Sequence, residues 1–588
     1  MVNLLAEPTL RAHAPIDMTH PIRSFFCALM CVTAAVSSQT LSGTVVTSTA
    51  LAVSGATVTA TVGTTSYTAT TTATGTFTLT VPTGTYTVDV EPPGGSTFAP
   101  ARLEARHVVT ALNVGTITLQ PGFSVSGTVL YQGGLPVANG DTDIIDAVTG
   151  QKLFTPNDNT SATGTYSMIV PAGTYKVVGD PAAGNYLSVE SAAFTVTGNV
   201  IVPTITLPPG YAVTATIVDA TTLAGLANVD IDVEDPTTGV RLQTPTDKTS
   251  ATGAVTVVVP AGTWRINIDP PPGDAHLGQQ LNNLAVFGNT NFGTLPLQTG
   301  KVVTGYVKGG TVGIYDASIG VDTVLGPVRR YTSNNGTAHD GYFNVSMPNG
   351  SYRILADPPA TTAFAPTLSS NFTITANTTL ADIVCPAGAT LSGVVTGSNG
   401  LPENGVSVSL NTTSTGAPVT SSGLVTTTPG GYARRVPLGT NTVTYRPNRY
   451  SFSAALAVPV SVSANTTWNV QLPAASVLNF LAPGSNPTTI VHGAPLVFDA
   501  AIMNATFSNA VPNLSIILID PAGGISTVIA PFPLALGPRQ IILAPNVALP
   551  LPTVNPAHWG YPFRLRFLVT DPLSGAELDR DDLVITIT

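Results

Sequence analysis

In Gly75-Thr76-Phe77-Thr78-Leu79-Thr80-Val81-Pro82-Thr83-Gly84-Thr85-Tyr86-Thr87-Val88, apolar and polar residues alternate almost one for one. A period of two sends Phe77, Leu79 and Val81 to one face of a strand and the threonines to the other. After Pro82-Thr83-Gly84 the alternation resumes with Tyr86, Val88 and Val90 inward, so the stretch reads as a β-hairpin. Pro82 fixes its own φ and donates no hydrogen bond, and Gly84 is expected to take the positive φ that reverses the chain.

The unit occurs five times. Gly164, Gly253, Gly341 and Gly430 open copies in which proline follows seven residues later, and Gly173, Gly262, Gly350 and Gly439 keep the turn. Tyr175, Trp264 and Tyr352 take the place of Tyr86. Ahead of each unit lies a related strand: Leu41-Ser42-Gly43-Thr44-Val45 recurs at Val125, Val213, Val303 and Leu391, at spacings of 84, 88, 90 and 88 residues. A period of that length is a tandem array of small domains rather than a solenoid. Glu91-Pro92-Pro93, Asp180-Pro181, Asp269-Pro270-Pro271 and Asp357-Pro358-Pro359 end the second strand of the unit, because proline cannot serve a central ladder. Later strands close each copy near Leu119, Leu207, Leu297, Cys385 and Leu472, and a few residues such as Pro208-Pro209-Gly210 lead to the next. The division that follows is a leader over 1–38, repeats over 39–122, 123–210, 211–300, 301–388 and 389–475, and a different domain over 476–588. Short proline-bearing links are stiff, so six units placed end to end predict a rod on the order of 200 Å, with Gly122, Gly210, Gly300 and Gly388 as hinges.

The opening Ser-Gly-x-Val strand, the Gly-x-aromatic strand and the Pro-x-Gly-Thr-Tyr turn resemble the carboxypeptidase regulatory-like domain over 41–475. That resemblance implies an all-β array of five seven-stranded transthyretin-like β-sandwiches, and a fold that serves as an accessory module on unrelated proteins. One departure is visible: Thr74, Thr163 and Thr252 stand where the family often carries an acid, and Asp340 retains it. From 476 onward the signature stops, and short strand-like runs around Leu496, Ile516, Ile541, Phe563 and Leu583 read as an immunoglobulin-like β-sandwich. Related collagen-adhesin modules carry a Lys–Asn isopeptide bond, and here the placement of lysine leaves Lys301 or Lys308 of the fourth repeat as the position for one.

Composition narrows the class further. Charged residues make up 9% of the chain against roughly 25% in ordinary soluble domains, so Thr, Ser, Asn and Gly must supply the polar surface. A net charge of −10 leaves no basic field for nucleic acid. The apolar content is spread by strand alternation, and no run beyond the leader has the roughly 18 unbroken apolar residues of a spanning helix. Arg23, an apolar run over 25–36, and Ala35, Ser37 and Ser38 form an export signal with cleavage before Gln39 or one residue earlier. Glu7, Pro8, Pro15 and Asp17 fit a signal poorly, which points to Met18 as the true start. Cys27 and Cys31 leave with the leader, and the remaining Cys385 cannot make an internal disulfide.

No constellation for catalysis is found: no His-x-x-Glu zinc motif, no nucleophile elbow and no phosphate loop. Asp230, Asp232 and Glu234 project from one strand face about 6.6 Å apart, with Asp141, Asp143 and Asp146 in the corresponding place of the second repeat. They read as a solvated face that discourages edge pairing, with a calcium site as the alternative and no metal required. Cys385 aligns with leucines and reads as a small buried hydrophobe; Trp264 reads as core. Trp559 is either a packed loop residue or a platform for sugar. In the fifth repeat Arg434 replaces an inward leucine, Asn441 the aromatic and Arg446 the acid before proline. With Arg435 and Arg449, these arginines either pair with acids and snorkel or present a docking face for an anionic polymer or acidic protein surface. The expectation is an exported, secreted or cell-surface protein without enzymatic activity or cofactor, acting as a stalk, adhesin or fibre component. Its expected partners are polysaccharide or other surface or matrix proteins, self-association included, and carbohydrate binding is the alternative reading.

Overall fold

The computed structural model describes residues 38–587 apart from 325–328, 333–335, 413–417, 420–425, 428, 448–452, 454, 484–488, 492–493, 507, 521–523, 551, 553, 555–561 and 576. The leader, Arg449 and Trp559 therefore lie outside the described residues. Every regular element among those described is a strand. Buried apolar side chains gather into six clusters, reaching from Leu41 to Leu119, Val125 to Leu207, Val213 to Leu297, Val303 to Cys385, Ala389 to Leu472 and Val477 to Ile587.

The first repeat shows the plan. Its strands are β1 (Ser38–Thr47), β2 (Thr57–Val62), β3 (Thr65–Thr70), β4 (Thr76–Pro82), β5 (Gly84–Glu91), β6 (Ala101–Val108) and β7 (Leu112–Leu119). They form two packed sheets, ordered β4-β1-β7 and β3-β2-β5-β6. β1 and β7 run parallel, with Leu41 opposite Leu112 and Thr47 opposite Leu119. The first and closing strands are parallel neighbours in all five repeats.

The expected hairpin is not one. β4 pairs with β1, whereas β5 pairs with β2 and β6 in the opposite sheet. Pro82-Thr83-Gly84 thus carries the chain across the sandwich, and the two alternating runs face each other over the core instead of sharing a ladder. A crossing needs no reversal within one sheet. Of the five turn glycines Gly439 alone has a positive φ, 109°. The others are small for another reason: the ring two residues later folds back over them, and a Cβ at Gly173 would lie 2.5 Å from the Tyr175 hydroxyl. The Tyr86 hydroxyl donates to the Pro82 carbonyl at 2.9 Å, the Trp264 indole N–H to Pro260 at 3.0 Å, and Asn441 Nδ2 to Pro437 at 2.8 Å. Asn441 therefore keeps the donor of the aromatic it replaces.

Positive φ is required at the other recurring glycine of the unit. Gly75, Gly164, Gly253, Gly341 and Gly430 have φ between 70° and 86°. A Cβ there would run into the carbonyl oxygen of Val45, Val129, Ile217, Val307 or Val395, a backbone atom that cannot move aside. The Ser-Gly of the opening strand is explained by its partner. Gly43, Gly127, Gly305 and Gly393 lie opposite Phe77, Tyr166, Phe343 and Tyr432, while Ala215 of the third repeat faces the smaller Val255.

Each repeat also buries a threonine at one recurring position that the alternation does not reveal. Thr71, Thr160, Thr249, Thr337 and Thr426 are buried. Their hydroxyls donate to the carbonyls of Val53, Val137, Leu226, Ile314 and Glu403 at 2.5 to 2.7 Å. The same oxygens accept from the N–H of Ala56, Gly140, Val229, Ala317 and Val406 at 2.8 to 3.0 Å. One hydroxyl thereby satisfies two buried backbone groups that would otherwise each cost about 1–3 kcal/mol.

The 476–588 domain has a three-stranded sheet of Val477–Pro483, Leu496–Asn504 and Ile541–Leu549 against a five-stranded sheet that includes Glu577–Ile587, Pro562–Thr570 and Asn513–Ile519.

The two kinds of glycine give a direct test in one repeat. Gly164→Ala should cost about 2 kcal/mol or more, since the clash is with backbone at positive φ. Gly173→Ala should cost less, because only the Tyr175 ring has to shift. Hydrogen exchange of second-repeat amides in the full chain measures both, and equal costs would show that the positive φ is not the constraint.

Candidate functional site

The recurring feature with functional content is the joint between repeats. After β7, the chain passes Gln120-Pro121 and enters the next opening strand at Gly122. That link is pinned to the loop following the proline corner: Ala99 N–H donates to Gln120 O at 2.9 Å and Gly122 N–H to Thr97 O at 2.8 Å. The same two bonds recur as Leu187 to Pro208 and Gly210 to Asn185, Leu277 to Gln298 and Gly300 to Ala275, and Ala365 to Pro386 and Gly388 to Ala363. A Cβ at the joint glycine would strike both flanking repeats: at Gly300 it would meet the Leu277 side chain on one side and lie 2.6 Å from the Met347 carbonyl oxygen on the other. These glycines are wedges, not the hinges that the sequence suggests.

Side chains reinforce the joints. Between the third and fourth repeats, Gly273 N–H donates to Asn344 Oδ1 at 2.7 Å, the Ser346 hydroxyl donates to the Asp274 carbonyl, and the Tyr331 hydroxyl donates to Asp269 at 2.5 Å. His276 lies at that joint with Nε2 2.9 Å from Asp219 and Nδ1 2.6 Å from Asp274. Burial lowers its pKa, but hydrogen bonds to Asp219 and Asp274 and their charges outweigh this and hold it above the usual 6.5. With both nitrogens held by carboxylates, neither is available to activate a nucleophile.

The array does not run straight. The first repeat meets the fourth: His107, its side chain 7% exposed, places Nδ1 2.9 Å from Asp340 Oδ2 and stacks on Tyr342 with ring centres 3.8 Å apart. His339 N–H donates to the Ala105 carbonyl at 3.0 Å, and Ala105 is held at φ 50°. The acid that sets the fourth repeat apart thus has a partner 233 residues away. The expected straight rod is overturned by this contact, which sets the first repeat against the fourth.

The arginines of the fifth repeat are directed to its neighbours. Arg434 Nη2 is 3.7 Å from Asp357 and Arg435 Nη2 donates to the Ala360 carbonyl at 3.2 Å, both in the fourth repeat. Burial lowers the Arg434 pKa, with Asp357 opposing. Arg446 pairs with Glu577 of the C-terminal domain at 2.5 Å. The three described arginines of the candidate docking face are therefore spread over two junctions. A cavity of about 240 Å³ beside Arg446, lined also by Ala475, Leu478 and Asp581, lies at the second.

Of the third-repeat acids, Asp232 pairs with Arg241 at 2.6 Å and Glu234 with Arg265 at 2.9 Å, while Asp230 adjoins Asp247, whose carboxyl is pushed up to about 7 by burial and by the Asp230 charge. They do not present three free carboxylates. Asp146 stands apart from Asp141 and Asp143: it caps a turn, accepting from Val148 and Thr149 N–H at 2.9 and 2.8 Å, and so matches Asp235 instead. Cys385 is 2% exposed, and burial pushes its thiol up to about 11. Lys308 forms an ion pair with Asp382 at 2.7 Å. Trp264 is half-buried against the third core.

The fold is that of a tandem β-sandwich protein. Residues 40–120, the first repeat, match the carboxypeptidase regulatory-like domain family. No curated protein matches the sequence. Among solved structures, a streptococcal ancillary pilin aligns at 11% identity over 45% of this chain and 99% of its own, with a TM-score of 0.16. The major pilin subunit of Bacillus cereus aligns at 10% over 60% and 100%, with a TM-score of 0.14. A DUF3823 family protein from Parabacteroides merdae aligns at 12% over 34% and 100%, with a TM-score of 0.19. None of these likenesses bears on what the chain does. Among the described residues no helix is long and apolar enough to cross a membrane.

Two outcomes test the joints. Scattering from the chain should give a radius of gyration well below the about 58 Å of a straight 200 Å rod and above the about 24 Å of a compact body, and Gly300→Val should raise it. An unchanged curve for that variant would remove the joint as the source of curvature. A second readout is pH. The raised His276 pKa contributes stability that is fully present well below the unfolded value of 6.5 and is lost as pH rises through the higher folded value. Protection of the Gly300 and Leu277 amides should therefore fall as pH rises past that value, and His276→Gln should flatten the dependence.

Proposed function

We propose that this chain is an exported, non-enzymatic surface or extracellular matrix protein that bears load as a stalk or fibre component. The observation that carries the reading is the parallel pairing of first and closing strands in every repeat. Tension applied through the two ends of a repeat pulls these neighbouring strands in opposite directions, so all rungs between them are loaded together instead of opening one at a time. The pinned joints pass that tension from one repeat to the next once the array is drawn out. A sparsely charged, threonine-rich composition and an export-type leader agree with a place outside the cell.

Single-molecule pulling of the full chain tests this. The expected trace is a series of similar unfolding events, each releasing roughly 250–300 Å, the extended length of a span such as 38–119. Loss of the whole array in one low-force event would overturn the load-bearing role. A second reading rests on Trp468, which is 39% exposed and offers a flat apolar ring on which a sugar can stack. Saturable binding to soluble polysaccharides that Trp468→Ala removes, with no resistance to force, would favour a carbohydrate-binding protein instead.

A further inference from the structure

The second and third repeats carry the same four acids, 89 residues apart: Asp141, Asp143, Asp158 and Asp180 correspond to Asp230, Asp232, Asp247 and Asp269. In each repeat they come from three places: the strand that holds Asp143 or Asp232, the Thr-Pro-x-Asp loop, and the acid before the proline corner. The Thr155 hydroxyl donates to Asp158 Oδ2 at 2.7 Å, and Thr244 to Asp247 Oδ2 at 3.1 Å.

The two clusters differ in what meets the acid before the corner. In the third repeat the acid before the corner is capped from outside, by the Tyr331 hydroxyl of the next repeat on Asp269 at 2.5 Å. Among the described residues no such cap from the next repeat reaches Asp180. Asp180 is 6% exposed, and its Oδ1 has no hydrogen-bond partner. A carboxylate so buried and half unsatisfied is costly unless something positive completes it. One ligand oxygen each from Asp141, Asp143 and Asp180 lies within 4.8 Å of the others, the spread allowed for oxygens sharing one ion at 2.3–2.6 Å.

We infer that Asp141, Asp143 and Asp180 form a binding site for a hard divalent cation, with calcium the best match to an all-carboxylate donor set open to further oxygens. Asp158 adjoins the site and offers a further carboxyl to it.

The positive groups facing the site are few. Lys152 reaches Asp143, but its side chain is half exposed on a flexible stem and can swing away. Arg102 of the first repeat is already held by Asp89 at 2.6 Å. The Ser188 hydroxyl faces Asp180 as a neutral donor and brings no positive charge to it. The ion would tie the strand Thr142–Asp146 to the corner that leads into the joint with the third repeat.

The test is calorimetric titration of the chelator-treated full chain with calcium chloride. The expected result is one saturable site per chain, with a Kd in the roughly 10⁻⁴–10⁻³ M range of extracellular modules, and weaker binding of magnesium. Asp180→Asn and Asp141→Asn should abolish it, and Asp269→Asn in the third repeat should leave it unchanged. Asp180→Asn also removes an uncompensated buried charge, so it should raise the melting temperature in chelator while abolishing the further rise with calcium. A purely structural aspartate would not give those opposite effects. No saturable binding in millimolar calcium, or binding retained in Asp180→Asn, would overturn the site.

Discussion

The parallel pairing of the first and last strand fixes most of what this molecule can be. Had β7 run antiparallel to β1, the repeat would begin and end on the same side, and a tandem chain would have to double back at every link. Running parallel, Leu119 finishes beside Thr47, at the far end from Ser38. The next repeat therefore starts where the previous one stops, and β1, at about 3.3 Å per residue, sets an advance of roughly 33 Å. Propagation along the chain and loading of the closing ladder in shear are two consequences of one topological choice.

Whether such an array is straight depends on the joint. Two backbone bonds and a wedged glycine leave little freedom, and the same arrangement appears four times. The contact of His107 with Asp340 and Tyr342 spans three joints, so the chain bends back far enough for the first repeat to meet the fourth. Short proline-bearing links are a sound sign of stiffness, but stiffness alone does not say in which direction the next unit points.

Much of this is legible in the residues and some is not, for physical reasons. Alternation reports which face of a strand is buried, so Phe77, Leu79, Tyr86 and Val88 are core as expected. It does not report the hydrogen-bonded partner, which is why a crossing between sheets reads as a hairpin. The buried threonines are present in the pattern but hidden: each lies four residues before the glycine of positive φ, yet in a chain so rich in threonine one more attracts no notice. The fourfold acid pattern is equally available from the 89-residue offset, once Asp158 and Asp180 are taken with the strand acids. The partners of Asp340, Arg434 and Arg446 are beyond reach, because they depend on how whole repeats are rotated.

Those partners suggest why charge is so sparse. A surface of threonine, serine and glycine can form weak contacts with any similar surface, so it cannot by itself choose one packing of repeat on repeat. A few charges can, because a misplaced pair leaves a partly buried ion unmatched, at a cost of about 3–5 kcal/mol when burial is deep. Here Arg434, Arg435, Arg446, His107 and Asp340 all act between units rather than within them. With 9% charged residues, each such pair has few competitors, and five copies of one fold are given distinct neighbours by a handful of substitutions. The open acid cluster of the second repeat and the capped one of the third follow that logic: a shared scaffold, made different by what the next unit does or does not bring to it.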